Sequence, residues 1–190
     1  MRDIKLKVCG MRDGHNIKEV LDVKPDYIGF IFYKDTPRFV GEDFNLPDQM
    51  SAFTKRVGVF VNDSTENIMK KVGRYDLHLV QLHGAETPEQ CRELKAQGVG
   101  VINGFSVDDN MDFSVTEPYR EVVDYFLFDT KGKHYGGNAT RFSWDVLSKY
   151  DQKIPSFLSG GITPENVSEI SALRGYNLFA VDINSGVEIM

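Results

Sequence analysis

The sequence contains very little cysteine. Only two cysteines, Cys9 and Cys91, occur among 190 residues, whereas small secreted domains usually depend on several disulfides. The opening residues MRDIKLKV contain no apolar segment of the kind that directs secretion. We therefore expect a cytoplasmic protein without a disulfide framework, in which Cys9 is a free thiol.

The sequence also lacks an excess of basic residues and any long apolar run. Lys and Arg number 22 against 28 Asp and Glu, which gives a formal net charge of -6. No general basic surface for nucleic acid is expected, and no stretch approaches the roughly 18 apolar residues of a membrane span. The chain, with 41% hydrophobic residues, is expected to form one domain over residues 1–190, without a nucleic-acid or membrane partner.

Short runs rich in β-branched and aromatic residues recur along the chain and predict eight strands. They are KLKVC, YIGFIF, RVGVFV, LVQLH, GVINGF, YFLFD, PSFLSG and FAVDI. Most are separated by segments with helical spacing, such as residues 63–75, capped by Ser64, and residues 87–98, which Thr87 and Pro88 begin. Alternating strands and helices predict a parallel sheet, and eight units predict a closed (β/α)8 TIM barrel.

Two parts of the chain depart from a regular barrel. The stretch YKDTPRFVGEDFNLPDQM, residues 33–50, contains several Pro and Gly residues and predicts a loop that crosses the barrel mouth before a short helix. The chain ends at GVEIM with no eighth helix, although such barrels rarely have fewer than roughly 200 residues. We expect that the final helix is lacking or trimmed.

Polar residues stand at the ends of several predicted strands, where barrels of this kind build their active sites. Strand one ends in Cys9, strand four in His83 and strand six in Asp129. Polar and apolar residues alternate along strand one, so Cys9 is expected to point into the barrel. The same parity turns Asp129 inward, which places a thiol and a carboxyl group at one mouth.

Glycine-rich turns follow the last two predicted strands. Backbone N–H groups in such turns bind anions, and barrels frequently bind phosphate after strands seven and eight. The sequence therefore predicts a site for a phosphate-bearing ligand here. Its residues are Gly160 and Gly161 after strand seven, and Asn184, Ser185 and Gly186 after strand eight.

Six short motifs, taken in order, resemble the phosphoribosylanthranilate isomerase family. They are KVCG, PRFV, VQLHG, FLFDTK with a glycine-rich loop and RFSW, SGGITPENV, and VDINSGVE, and they span essentially the whole chain. The resemblance implies a small-molecule substrate and the Amadori rearrangement of tryptophan biosynthesis. In that reaction N-(5-phosphoribosyl)anthranilate becomes 1-(2-carboxyphenylamino)-1-deoxyribulose 5-phosphate. It implies no metal and no organic cofactor.

The resemblance also implies roles for individual residues. An Amadori rearrangement needs an acid that opens the ribose ring and a base that removes the proton from C2. Asp129 is the implied acid and Cys9 the implied base. Arg38 would bind the anthranilate carboxylate, and His83 would either contact the ligand or hydrogen-bond a loop. The loop TKGKHYGGNATRF would cover the anionic ligand.

The reactivity of Cys9 depends on two neighbours. Lys7 precedes it by two residues on the same strand face, and a buried ammonium group would lower the pKa of a thiol from roughly 8.5. Asp182, on the strand next to strand one in a closed barrel, is expected to pair with Lys7 and to weaken that effect. The sequence leaves open which effect is larger.

Other functions also stay open at this point. A related phosphosugar barrel, of the indole-glycerol-phosphate synthase or histidine-pathway isomerase type, would share the phosphate loops. The first should carry a catalytic Lys and Glu set, and the second an inward Asp on strand one, where this chain has Cys9. A non-catalytic phosphate-binding barrel or thiol sensor would not need Asp129. The oligomeric state is not indicated, and a monomer is slightly favoured.

Overall fold

Eight parallel strands form a closed barrel in chain order, with β1 paired to β8. The structure is a computed structural model that describes residues 4–48, 50–130 and 143–185. The predicted eight-stranded barrel is confirmed. Its strands are β1 (Lys5–Val8), β2 (Tyr27–Ile31), β3 (Lys55–Phe60), β4 (Leu79–Leu82), β5 (Gly100–Val107), β6 (Tyr125–Thr130), β7 (Ser156–Leu158) and β8 (Leu178–Ile183).

Three α-helices pack outside the first half of the barrel. They are α1 (Gly14–Asp22), α2 (Thr65–Tyr75) and α3 (Pro88–Ala96). The hydroxyl groups of Ser64 and Thr87 accept hydrogen bonds from backbone N–H groups three residues later, as the sequence predicts for N-caps. None of the helices described is long and apolar enough to cross a membrane.

Shorter 3₁₀ helices follow the later strands. They span Phe113–Tyr119 after β5, Trp144–Lys149 after β6 and Val167–Gly175 after β7. Pro118 lies inside the first of them and cannot donate a backbone hydrogen bond, which limits regular helix there. Residues 186–190 lie outside the described ranges, so the expected lack of a final helix stays a prediction.

The predicted short helix between β2 and β3 is wrong for the described residues 32–48 and 50–54. This connection is an extended loop instead. Val40 donates its backbone N–H to the carbonyl oxygen of Ile31 at 3.0 Å, and Val40 and Phe44 are buried against the barrel. Its Pro and Gly residues interrupt helical hydrogen bonding, while its apolar side chains still cover the strands.

The strands divide their side chains between two cores. Inside the barrel, one residue from each of β2 to β8 forms an apolar cluster: Tyr27, Val57, Leu79, Ile102, Leu127, Phe157 and Ala180. Phe126 and Phe128 belong instead to the larger cluster outside the barrel, which confirms the parity predicted for β6. The apolar interior cluster is followed, toward the C-terminal ends of the strands, by a layer of polar side chains.

Candidate active site

A cavity at the C-terminal ends of the strands brings together eight of the nine predicted site residues. They are Cys9, Arg38, His83, Asp129, Gly160, Gly161, Asn184 and Ser185. The ninth, Gly186, lies outside the described residues, as does most of the loop expected to cover the ligand, residues 131–142. Eight predicted residues therefore line one cavity, and their roles stay predictions.

Cys9 lies just beyond β1 and is only 5% exposed. Its backbone N–H donates to the carbonyl oxygen of Ile183 at 2.9 Å, which ties the end of β1 to β8. A Cβ atom placed on Gly29 of β2 would lie 2.6 Å from the Cys9 sulfur. Gly29 therefore leaves the space that the thiol occupies. The sequence analysis missed this residue, although a glycine inside an apolar strand often marks such a close approach.

Lys7 and Asp182 form the predicted ion pair inside the barrel. The Lys7 Nζ lies 2.6 Å from Asp182 Oδ2, and neither side chain is more than 4% exposed. Burial opposes the charge on Lys7, but Asp182 and Cys9 outweigh it and raise the pKa of Lys7. Burial also raises the pKa of Asp182, against the lowering effect of Lys7. Lys7 is thus a cation at neutral pH.

The structure shows what sets the pKa of Cys9, which the sequence left open. Burial is the largest effect on the thiol and raises its pKa to about 11. Lys7 lowers the pKa of Cys9, but Asp182 raises it and so removes part of that effect. Without substrate, Cys9 is therefore a protonated thiol at neutral pH.

Replacing Asp182 by Asn is expected to lower the pKa of Cys9 below about 11. The variant removes the anion that competes for Lys7, so the thiolate becomes the nearest counter-ion of the ammonium group. It should also cost about 3–5 kcal/mol of stability, because a buried charge loses its partner. The ultraviolet absorbance of the thiolate is taken as the difference between a Cys91→Ala background and the same background with Cys9→Ala, so that the ionising tyrosines cancel and the difference reports the pKa of Cys9. An unchanged or higher pKa would contradict this account.

Asp129 and His83 contact each other across the cavity. The His83 Nε2 lies 3.4 Å from Asp129 Oδ2, and their side chains are 15% and 17% exposed. The other carboxylate oxygen, Oδ1, accepts the backbone N–H of Thr130 at 2.9 Å. The sequence placed both residues at one mouth but did not predict that they pair.

The loop after β7 packs directly on the carboxyl group of Asp129. Gly160 has a φ of 84°, and a Cβ atom there would lie 2.7 Å from Asp129 Oδ1 and 2.3 Å from Thr130 Oγ1. Only glycine combines that backbone conformation with that contact. Asn166 fixes the same loop, because its side chain donates to the carbonyl oxygen of Gly161 at 2.7 Å.

Arg38 reaches the cavity from the loop between β2 and β3. A Cβ atom on Gly10 would lie 3.0 Å from both the Arg38 Cδ and the Asn184 Oδ1. The loops after β1, β2 and β8 therefore meet at this point. Arg12 donates a hydrogen bond to the carbonyl oxygen of Pro37, which holds the Arg38 loop against the loop after β1.

The fold and the cavity define a class of protein: a closed parallel β/α barrel with a thiol, a carboxyl group and two glycine-containing loops at its C-terminal mouth. Among the residues the structure describes, no group of three or more His, Cys, Asp or Glu side chains is placed to hold a metal ion. A profile described as N-(5'-phosphoribosyl)anthranilate (PRA) isomerase matches residues 6–190. The chain belongs to this family.

Relatives of known name and structure agree with this assignment. The N-(5'-phosphoribosyl)anthranilate isomerase of Phocaeicola vulgatus is 43% identical over 183 residues, which cover 96% of this chain and 88% of the relative. The crystal structure of phosphoribosyl anthranilate isomerase from Thermotoga maritima superposes with a TM-score of 0.84 and 33% identity, covering 99% of this chain and 91% of that one.

A third similar structure contains a ligand. It is a phosphoribosyl anthranilate isomerase in complex with reduced 1-(o-carboxyphenylamino)-1-deoxyribulose 5-phosphate. It is 31% identical, with a TM-score of 0.80, and the match covers 99% of this chain and 90% of that chain. The family resemblance seen in the sequence motifs is confirmed.

Proposed function

We propose that Cys9 and Asp129 carry the reaction of this family, the Amadori rearrangement of N-(5-phosphoribosyl)anthranilate in tryptophan biosynthesis. The observation that carries the proposal is their position: a thiol and a carboxyl group line one cavity beside the loops after β7 and β8. The ligand of the related complex, a reduced carboxyphenylamino deoxyribulose phosphate, supports this substrate class.

The two groups perform successive proton transfers. Asp129, in its protonated form, donates to the ribose ring oxygen, the C1–O bond breaks, and the open chain becomes a protonated imine, because the nitrogen keeps its hydrogen. Cys9 acts in its thiolate form, a small fraction at neutral pH because its pKa is about 11: it takes the proton from C2, and the electron pair of that bond forms the C1=C2 bond of an enolamine. The enolamine takes a proton at C1 and loses its hydroxyl proton to give the ketose. Each positioned group contributes about 10²–10⁴-fold to such a reaction.

The remaining cavity suits the rest of the substrate. The glycine turns at Gly160 and Gly161 and the turn at Asn184 and Ser185 would hold the phosphate. Arg38 would bind the anthranilate carboxylate with its two-pronged guanidinium group. The cavity wall also includes the apolar side chains Ile31, Val59 and Val61, which offer a surface for the aromatic ring.

The free cysteines suit a reducing, cytoplasmic location. Both Cys9 and Cys91 are buried and unpaired. One chain supplies all of the proposed groups, so a monomer would suffice for the reaction. We propose a cytoplasmic location and a monomeric state together with the activity.

Replacing Arg38 by Ala is expected to raise KM by about 10-fold or more with a much smaller change in kcat, because carboxylate binding acts on both the ground state and the transition state. Arg38→Lys should have an intermediate effect, since lysine keeps the charge but not the two-pronged geometry. Steady-state kinetics measure both constants. Arg92→Ala on the exposed face of α3 is the control. A pure kcat defect would mean that Arg38 positions the reacting centre.

The activity is tested by a continuous fluorescence assay with freshly formed N-(5-phosphoribosyl)anthranilate. We expect enzyme-dependent loss of the substrate's fluorescence, and the ketose phosphate as the sole product. A double variant, Cys9→Ala with Asp129→Asn, is the control for spontaneous breakdown of the substrate. If the wild-type protein binds the product analogue but gives the same rate as the double variant, it is a non-catalytic phosphate-binding barrel and the proposal is wrong.

A further inference from the structure

A line of polar side chains crosses the barrel at the floor of the cavity and ends at Asp129. Lys7 Nζ donates to Asp182 Oδ2 at 2.6 Å and to Gln81 Oε1 at 2.8 Å. Gln81 Nε2 lies 3.3 Å from His83 Nδ1, and His83 Nε2 lies 3.4 Å from Asp129 Oδ2. The proposed reaction uses the carboxyl group at the end of this line and leaves the function of its middle unexplained.

Lys7 fixes which way the amide of Gln81 points. An ammonium group donates hydrogen bonds and accepts none, so the atom of Gln81 that faces Lys7 is the carbonyl oxygen. The NH2 group of the amide must then face His83. Lys7 is fully buried and Gln81 only 3% exposed, so water does not compete readily for these bonds.

The amide in turn selects one form of the His83 ring. The NH2 group of Gln81 is a donor, so the Nδ1 atom that faces it must accept and cannot carry a proton. The proton of the neutral ring therefore sits on Nε2, which faces the carboxylate of Asp129. Gly104 of β5 leaves room for this arrangement, because a Cβ atom there would lie 2.6 Å from His83 Nδ1.

We propose that Gln81 is a positioning residue: held by Lys7, it fixes the His83 tautomer with the proton on Nε2, and that proton orients the carboxyl group of Asp129. Gln81 lies on β4 and His83 directly follows that strand, two residues later, so both side chains face the inside of the barrel. The catalytic part of this inference rests on the proposed acid role of Asp129, whereas the tautomer does not.

The two contacts to the carboxyl group of Asp129 explain why such positioning matters. Oδ2 faces the His83 Nε2 and Oδ1 accepts the N–H of Thr130, so the plane of the carboxyl group is set from both sides. An acid must be aimed at the ribose ring oxygen to act in the transition state. His83 also interacts electrostatically with Asp182, whose carboxylate is paired with Lys7.

The test replaces the NH2 group of Gln81, a hydrogen-bond donor, by a carboxylate oxygen, which is an acceptor. Gln81→Glu keeps the size of the side chain and the bond to Lys7, but a carboxylate can only accept from His83 Nδ1. We expect the proton to appear on Nδ1, so that Nε2 no longer donates to Asp129 in the neutral ring. The expected kinetic effect is a loss of about 10-fold or more in kcat, with KM changed by less than about threefold.

Histidine ¹⁵N NMR of the free protein reads the tautomer directly, with a His83→Asn sample to assign the signals. Gln90→Glu is the matched control. Gln90 lies on α3, outside the barrel, and its amide donates to the carbonyl oxygen of Asp63 at 2.7 Å. That variant should keep the wild-type His83 signals and kcat.

Two results would overturn the inference, and the first of them needs no variant. A wild-type His83 with its proton on Nδ1 would exclude the proposed tautomer, and a folded Gln81→Glu protein with unchanged His83 signals would exclude control by Gln81. An altered tautomer with unchanged kcat would exclude the catalytic part. If the tautomer is as proposed but the wild-type protein has no isomerase activity, the positioning stands and the proposed function fails.

Discussion

Replacing Asp129 by Asn is expected to lower kcat by about 10²-fold or more, while KM changes little. The amide has the shape of the carboxyl group but cannot deliver a proton to the ribose ring oxygen. The substrate's phosphate and carboxylate would still meet the loops after β7 and β8 and Arg38, so binding should survive. Steady-state kinetics at saturating substrate measure the effect on kcat.

The control for this variant is the residue just before the same strand. Asp124 precedes β6 at the opposite end of the barrel, where it pairs with Lys95 and accepts the N–H of Val101 at 2.9 Å. Asp124→Asn should reduce stability but leave kcat of the folded protein within about twofold, because it lies far from the cavity. Near-normal turnover in Asp129→Asn would remove Asp129 from the acid role.

The barrel was predictable because its strands and helix N-caps are indicated by short local patterns in the sequence. Each strand is an apolar run between turn residues, and Ser64 and Thr87 stand where helix N-caps are needed. The loop between β2 and β3 was harder, because buried residues such as Val40 and Phe44 give an apolar pattern that a short helix could also produce. Their burial depends on contacts with the barrel rather than on local spacing.

Strand parity made one part of the candidate site predictable, namely which side chains point into the barrel. Parity turns Cys9 and Asp129 inward and even places Gln81 on the same face as His83. It does not say which side chains meet across the barrel, because that depends on strand register and tilt. The pairing of His83 with Asp129 and the space left by Gly29 therefore became visible only in three dimensions.

The pKa of Cys9 could not be predicted from the sequence for a different reason. The sequence supplied both the cation, Lys7, and its competitor, Asp182, but the outcome depends on how far the thiol is removed from water. Burial is the largest effect in the folded protein, and burial is a property of the whole barrel. A neighbouring lysine alone is therefore not sufficient to indicate a reactive thiolate.

Replacing Cys9 by Ala is expected to lower kcat by about 10²-fold or more with little change in KM, because the variant loses the base that takes the C2 proton. The other inward titratable groups nearby are held by partners: Asp182 by Lys7 and His83 by Asp129. Neither is free to replace the thiolate. Turnover by the folded variant, measured with the fluorescence assay, tests this directly.

Cys91 supplies the matched control, since it is also a buried free cysteine but lies in α3, outside the barrel. Both Cys→Ala variants should lose about 1 kcal/mol of stability from packing, and only Cys9→Ala should lose turnover. In the Cys91→Ala background, alkylation of Cys9 should speed up about tenfold per pH unit from neutral pH toward its pKa of about 11. Equal kcat in the two variants would mean that the thiol at the end of β1 is a packing residue and that another group removes the proton.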